Sequence, residues 1–170
     1  QRRRDRTRGV LTVAVAVIAF AVAAALLVAL SRERAHDRQA VAETMNGPAP
    51  EFTLPSINGD DVSLASFRGG KNVLLFFNEG YGCAPCWQQS VEIQARLDEL
   101  AAAYTEYLVI TVDPARLTRE EAARWKLTVP LLSDSDRTVA RAYNTLGFGM
   151  HADKPNHTFV FVDKAGDIQW

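Results

Sequence analysis

Two cysteines, Cys83 and Cys86, are the only thiols in the sequence, and they lie in the run Gly80-Tyr81-Gly82-Cys83-Ala84-Pro85-Cys86-Trp87 between an apolar stretch and a helical pattern. On the first turn of a helix, side chains three positions apart share a face, and two sulfurs so placed are close enough to bridge. The chemistry this spacing supports is thiol-disulfide redox exchange. A cysteine at a helix N-terminus sits beside unpaired N–H groups and the positive end of the helix dipole, which favours its thiolate. Cys83 holds that place and is the expected attacking thiol. Cys86, one turn further in, is the expected resolving thiol, displacing a bound partner by intramolecular exchange. Pro85 restricts the loop, and its missing N–H falls where no intrahelical partner exists. Glu79 is a candidate proton relay, although an exposed loop carboxylate is the commoner role for such a residue.

Other uses of a cysteine pair fit less well. A structural zinc site wants four ligands, and the chain has no second cysteine pair, only His36, His151 and His157 elsewhere. Covalent haem attachment needs a histidine directly after the second cysteine, where Trp87 stands. No metal and no other cofactor is expected.

The elements that must position the dithiol can be read on either side of it. Val73-Leu74-Leu75-Phe76-Phe77 is too short for a helix and suits a strand buried on both faces. Beyond the cysteines, Ile93, Leu97, Leu100 and Ala101 mark one helical face, so the dithiol sits at a strand-to-helix junction. A second strand, Tyr107 to Val112, ends at Asp113-Pro114, and Thr118-Arg119-Glu120-Glu121 reads as a capping box opening a helix that turns Ala122 and Trp125 inward. Val139, Ala142, Tyr143 and Leu146 predict a third helix after Leu131-Leu132. Phe52-Thr53-Leu54 and Val62-Ser63-Leu64 flank the turn Asn58-Gly59-Asp60-Asp61 as a hairpin. Thr158 to Val162 forms a last strand, with Asp163 to Asp167 turning it into Ile168 and Trp170. Strands alternating with helices imply an α/β fold, a parallel core closed by an antiparallel hairpin.

Of the 170 residues, Val10 to Leu30 contain no charge and a single hydroxyl, Thr12, a length that spans the ~30 Å hydrocarbon core as a helix. A cleaved signal peptide has a shorter apolar stretch and a small-residue exit, whereas Leu30-Ser31-Arg32-Glu33-Arg34 follows here. Five arginines precede the segment, at positions 2, 3, 4, 6 and 8, and place the N-terminus inside. The expected organisation is a basic segment 1–9, a single transmembrane helix 10–30, a linker 31–49 and an extracytoplasmic domain 50–170 at the cell membrane. A flexible linker of this length reaches roughly 25 Å, so a membrane electron donor is a possible partner. A formal net charge of -1, with basic residues gathered at the N-terminus, excludes wrapping of nucleic acid. The start at Gln1 and the stop at Trp170 in what reads as mid-strand lead us to expect a fragment lacking both ends, with the domain truncated C-terminally.

These residues carry a family resemblance. Cys83-Ala84-Pro85-Cys86 after an apolar strand resembles the active site of thioredoxin-like proteins. Ala49-Pro50-Glu51-Phe52-Thr53-Leu54, with Leu64 to Lys71, is similar to the opening of the redoxin branch, which holds membrane-tethered thiol-disulfide oxidoreductases and the alkyl hydroperoxide reductase/thiol-specific antioxidant peroxiredoxins. Pro130-Leu131-Leu132-Ser133-Asp134 and the following Ala140-Arg141-Ala142-Tyr143 resemble the peroxiredoxin side. The resemblance implies a thioredoxin-like fold over residues 48–170. It also implies a Pro-x-x-x-Thr-x-x-Cys loop, for which this chain has Phe76 and Gly80, and a cis-proline at the position of Asn156, which Pro155 precedes. His157, beside that turn, is a candidate for facing and tuning the dithiol, and Tyr81, Trp87, Trp125 and Tyr143 are candidates for a substrate surface, with core packing the simpler account of the last two. The leading expectation is an oxidoreductase acting on protein thiols and disulfides. A peroxidase using Cys83 on hydroperoxides, and a tethered binding module with a structural disulfide, stay open beside it.

Overall fold

The structure is a computed structural model, and it describes residues 47–147 and 151–170 together with Val22, Ala25, Leu26, Val28 and Ala29. The chain divides into two units, residues 1–42 and 43–170. In the first, the five described residues are helical and exposed. The rest of the predicted 10–30 span, the 1–9 segment and most of the 31–49 linker lie outside the described residues. Among the described residues no helix is long and apolar enough to cross a membrane.

The second unit begins with a hairpin, β1 (Thr53–Pro55) against β2 (Asp61–Ser63), followed by a single 3-10 turn at Leu64–Phe67. Then come β3 (Asn72–Phe77), α1 (Ala84–Gln94), α2 (Leu97–Ala102), β4 (Thr105–Thr111), α3 (Ala115–Trp125), β5 (Leu131–Ser133), α4 (Thr138–Ala142) and β6 (Thr158–Val162). The main sheet has the order β5-β4-β3-β6, with β3, β4 and β5 parallel and β6 antiparallel to β3. After the turn at Asp163 to Asp167 the chain runs back along β6, where Val162 bridges Ile168. Upstream, Ala49 N–H donates to the Gly166 carbonyl and Pro48 bridges Asp167, so these residues of the predicted linker belong to the domain.

The uninterrupted apolar run of β3 follows from its central place. Its residues alternate between two buried layers because successive side chains of a strand point to opposite faces. Val73, Leu75 and Phe77 enter a core with the hairpin residues Phe52 and Leu54 and with Val139 and Tyr143 of the α4 region. Phe76 enters the other core, with Cys86 and Trp87 of α1, Val109 of β4 and Ala122 of α3. The helix bearing the dithiol is therefore clamped on the sheet by its own first turn.

Three helix assignments from the sequence change. The Thr118 capping box does not start α3. Pro114 caps that helix, its carbonyl accepting from Leu117 and Thr118 N–H, while the Thr118 hydroxyl lies buried 2.9 Å from that of Thr111. A proline with fixed φ at the end of a strand stops the ladder and opens the helix at once. The face assigned to Ile93, Leu97, Leu100 and Ala101 is broken by a turn at Ala95 and Arg96, and the restarted helix leaves Ala101 exposed. In α4 the buried positions are Val139 and Ala140, with Ala142 exposed, and Tyr143 is buried just past the helix end. The carboxylate of buried Asp134 receives the N–H groups of Val139 and Ala140 and so sets how this helix is turned. Burial pushes the Asp134 carboxyl up, and these two bonds oppose that shift.

Candidate active site

Cys83 is the N-cap of α1, and its sulfur accepts the N–H of Cys86 at 3.3 Å. Pro85 falls in the first turn and is exposed. Cys86 is fully buried while Cys83 is only partly so, and the two are joined as a disulfide with Cα atoms 5.4 Å apart. The difference in burial comes from the helix: its N-cap residue faces the loop and the residue three positions later faces the sheet.

The loop that presents Cys83 is held from three sides. Gly80 accepts the N–H of Cys83 at its carbonyl, and the same oxygen accepts the Trp87 indole N–H, both at 3.1 Å. Trp87 is 1% exposed, so it anchors the loop from within and is not part of a substrate surface. Its large ring fills the space between helix and sheet, where apolar burial outweighs display. From behind, the Asp113 carboxylate accepts the Tyr81 N–H. Lys154 Nζ lies 3.9 Å from Asp113 Oδ1 and donates to the Tyr81 carbonyl at 3.2 Å. Gly80 has φ +90, and a Cβ there would stand 2.1 Å from Asp113 Oδ2, so only glycine fits between the two. Tyr81 is 54% exposed at the tip of the loop.

His157 lies on the opposite side. Its Nδ1 is 3.3 Å from Cys86 Sγ, and its ring packs edge-on against Phe76 at 4.8 Å and Phe159 at 5.9 Å. A φ of +45 puts its backbone in the left-handed region, where histidine is found more often than most residues. The sequence marks His157 as a candidate to face the dithiol, and the structure places it there, 3.3 Å from Cys86 Sγ. The crossing that brings β6 back beside β3 carries His157 onto the dithiol, and the donor atoms of Cys83, Cys86 and His157 lie within 4.8 Å of one another. Asn156 is exposed; its N–H donates to Thr145 and its carbonyl accepts from the Thr158 hydroxyl. Among the described residues every peptide bond is trans, including that of Pro155. Glu79 is directed to His151, 3.7 Å from carboxylate to Nε2. Trp125 is partly buried with its indole N–H on Glu121, and Tyr143 is buried and donates to the Pro50 carbonyl. Burial pushes the phenol of Tyr143 up, with the nearby Glu51 charge adding to it, so it stays a neutral donor.

Asp113 and Lys154 were missed as site residues by sequence reasoning. Asp113 registered only as the end of a strand, and nothing local marks Lys154, which is remote from the cysteines along the chain.

The disulfide stands at the N-terminus of the helix that follows β3, a central strand of the main sheet. The profile of the AhpC/TSA family matches residues 45–170. The chain belongs to the AhpC/TSA family. Among AhpC/TSA relatives, Rv2521 of Mycobacterium tuberculosis, described as a candidate peroxiredoxin, is 35% identical over 130 residues, covering 74% of this chain and 82% of the relative. Two of the similar solved structures illustrate the match. Peroxidoxin BcpB from Mycobacterium tuberculosis has a TM-score of 0.65 at 23% identity, covering 73% of this chain and 81% of that one, and establishes the thioredoxin-like α/β fold. A candidate protein disulfide isomerase from Bacteroides thetaiotaomicron has a TM-score of 0.59 at 26% identity, with 71% and 73% covered. This AhpC/TSA chain is thus an oxidoreductase of the redoxin type whose two cysteines form its disulfide.

Proposed function

We propose that the chain reduces hydroperoxides through a two-thiol cycle at Cys83 and Cys86. The observation that carries this reading is the Cys83–Cys86 disulfide at the start of α1 in a chain of peroxiredoxin kinship. The Cys83 thiolate, stabilised by the Cys86 N–H and the helix terminus, attacks the terminal oxygen of ROOH. The O–O bond breaks, ROH leaves after taking up a proton, and Cys83 becomes a sulfenic acid. Cys86 then attacks the Cys83 sulfur, the S–O bond breaks, and water leaves as the disulfide forms. Two electrons have passed from the dithiol to the peroxide, and an external dithiol must restore them. His157 Nδ1 stands where the proton of the Cys86 thiol departs, which makes it the candidate base for the resolving step. Pro85 holds the first turn in shape.

A second reading, exchange with protein thiols and disulfides, is favoured by the loop. Phe76 is buried in the core and Gly80 has no side chain, so neither position offers the proline or hydroxyl that the peroxiredoxin resemblance implies. The candidate disulfide isomerase among the similar structures supports this reading too. We also propose that residues 10–30 tether the domain at the extracytoplasmic face, within reach of protein substrates and a membrane electron donor; the supporting feature is the uncharged segment behind a run of arginines.

One experiment separates the readings. The reduced chain is given hydrogen peroxide and, in parallel, a disulfide-bonded protein, and rates are compared with those of Cys83→Ser and Cys86→Ser. Peroxide consumption far above that of a free thiol, lost in Cys83→Ser and halted at sulfenic acid in Cys86→Ser, is the expected result. Slow peroxide consumption with rapid protein disulfide reduction, and protein adducts accumulating on Cys86→Ser, overturns it in favour of the second reading. Activity on neither leaves a binding module.

A further inference from the structure

We propose that the reduced site binds a soft monovalent metal ion, Cu(I), through Cys83 Sγ, Cys86 Sγ and His157 Nδ1. Their donor atoms lie within 4.8 Å of one another although His157 is 71 residues from Cys86 along the chain. With metal–sulfur bonds of ~2.3 Å and metal–nitrogen bonds of ~2.0 Å, three donors around one ion stand roughly 3.5–4 Å apart. The 3.3 Å from His157 Nδ1 to Cys86 Sγ is already near this spacing. Opening the disulfide leaves the other sulfur free to rotate out to it, since Cys83 is at the loop edge of the helix and Cys86 is fixed in the core.

The donor set selects the ion. Thiolates prefer soft metals, and two sulfurs with one imidazole complete a three-coordinate shell. Zinc in a structural site wants a fourth protein ligand, and among the described residues no further histidine, cysteine or carboxylate joins this cluster. The surroundings are built for a fixed imidazole. His157 takes a left-handed backbone conformation, and Phe76 and Phe159 hold its ring edge-on, so Nδ1 is aimed at the sulfurs without an ordering cost on binding. His157 and Cys83 border solvent, which gives an entry path, while buried Cys86 closes the inner side. Both thiols lose their protons to solvent when the ion binds, with no change in oxidation state. Formation of the disulfide removes both sulfur ligands, so metal binding and the oxidised state exclude each other.

The test uses the full chain, reduced and handled without oxygen, with Cu(I) supplied as its bicinchoninate chelate. The reduced chain is expected to withdraw a single equivalent of Cu(I) and the oxidised chain none. X-ray absorption should find two sulfur scatterers and one nitrogen. His157→Ala should weaken Cu(I) affinity about tenfold or more. Equal affinity in His157→Ala, a sulfur-only shell, uptake by the oxidised chain, or no uptake by a chain whose two thiols both react with a thiol reagent overturns the assignment. Metal content and absorption are read without turnover, so a failure here is distinct from a failure of the peroxidase reading.

Discussion

Replacing Gly80 by alanine tests how the loop that presents Cys83 is held. Two costs follow from the geometry. At φ +90 an L-residue is strained, by about 1–2 kcal/mol. The new Cβ would also meet Asp113 Oδ2 at 2.1 Å, far inside contact distance, so the carboxylate must swing away and release the Tyr81 N–H. Losing a hydrogen bond to a charged group costs a further ~1.5–3 kcal/mol. Gly80→Ala is therefore expected to lose about 2.5–5 kcal/mol, much of the total stability of a domain this size. Asp113→Ala alone forfeits the same carboxylate bond but leaves room for the Cβ. In the double variant only the backbone strain should be added, so the pair should be more stable than the sum of single effects by ~1.5–3 kcal/mol. Urea unfolding of all four proteins, each with its disulfide closed, measures this coupling. Additivity within about 0.5 kcal/mol would refute the claim that Asp113 fills the space a side chain at position 80 would need.

Three further outcomes are expected. Valine at either Thr111 or Thr118 should cost ~1–3 kcal/mol by orphaning the buried partner hydroxyl, while valine at both should restore most of that loss, and equal summed costs in urea unfolding would exclude the paired hydroxyls as the cause. The Asp163 carboxylate accepts the backbone N–H of Asp167, and also those of Ala165 and Gly166, and these bonds hold its carboxyl below the usual 3.8. A depressed carboxyl contributes stability that is present above about pH 4 and lost as pH falls through the folded-state value; thermal melts should thus show a gap between wild type and Asp163→Asn at neutral pH that closes in acid, and a gap that does not change with pH refutes the linkage. Expressed at full length in bacteria, the protein should stay with membranes through a high-salt wash, and a soluble product shortened near residue 31 would remove the proposed anchor.

Much of the architecture was legible in the chain because it rests on local patterns. The apolar run at Val73 to Phe77 could only be a strand covered on both faces, and the cysteine spacing with Pro85 set a dithiol at the start of a helix. The hairpin turns at Asn58-Gly59 and Asp163 to Gly166 were readable because their glycines permit φ values that other residues avoid. Helix phase was less legible. The turn at Ala95 and Arg96 and the carboxylate of Asp134 decide which side of α2 and α4 faces the sheet, and a periodicity count sees neither. Trp87 has the composition of a contact residue, and only its indole bond to Gly80 and the sheet beneath it make it an anchor.

The sequence by itself determined a single dithiol, its place between strand and helix, and the α/β order of the domain, because each depends on residues close together along the chain. Beyond the candidate place of His157, only the tertiary structure decided what surrounds that dithiol. Asp113 reaches the loop from the end of β4, Lys154 and His157 come from the segment before β6, and the antiparallel return of β6 along β3 carries His157 onto Cys86. These contacts are set by strand order and crossing direction, which fix distances between residues that sequence spacing leaves unrelated.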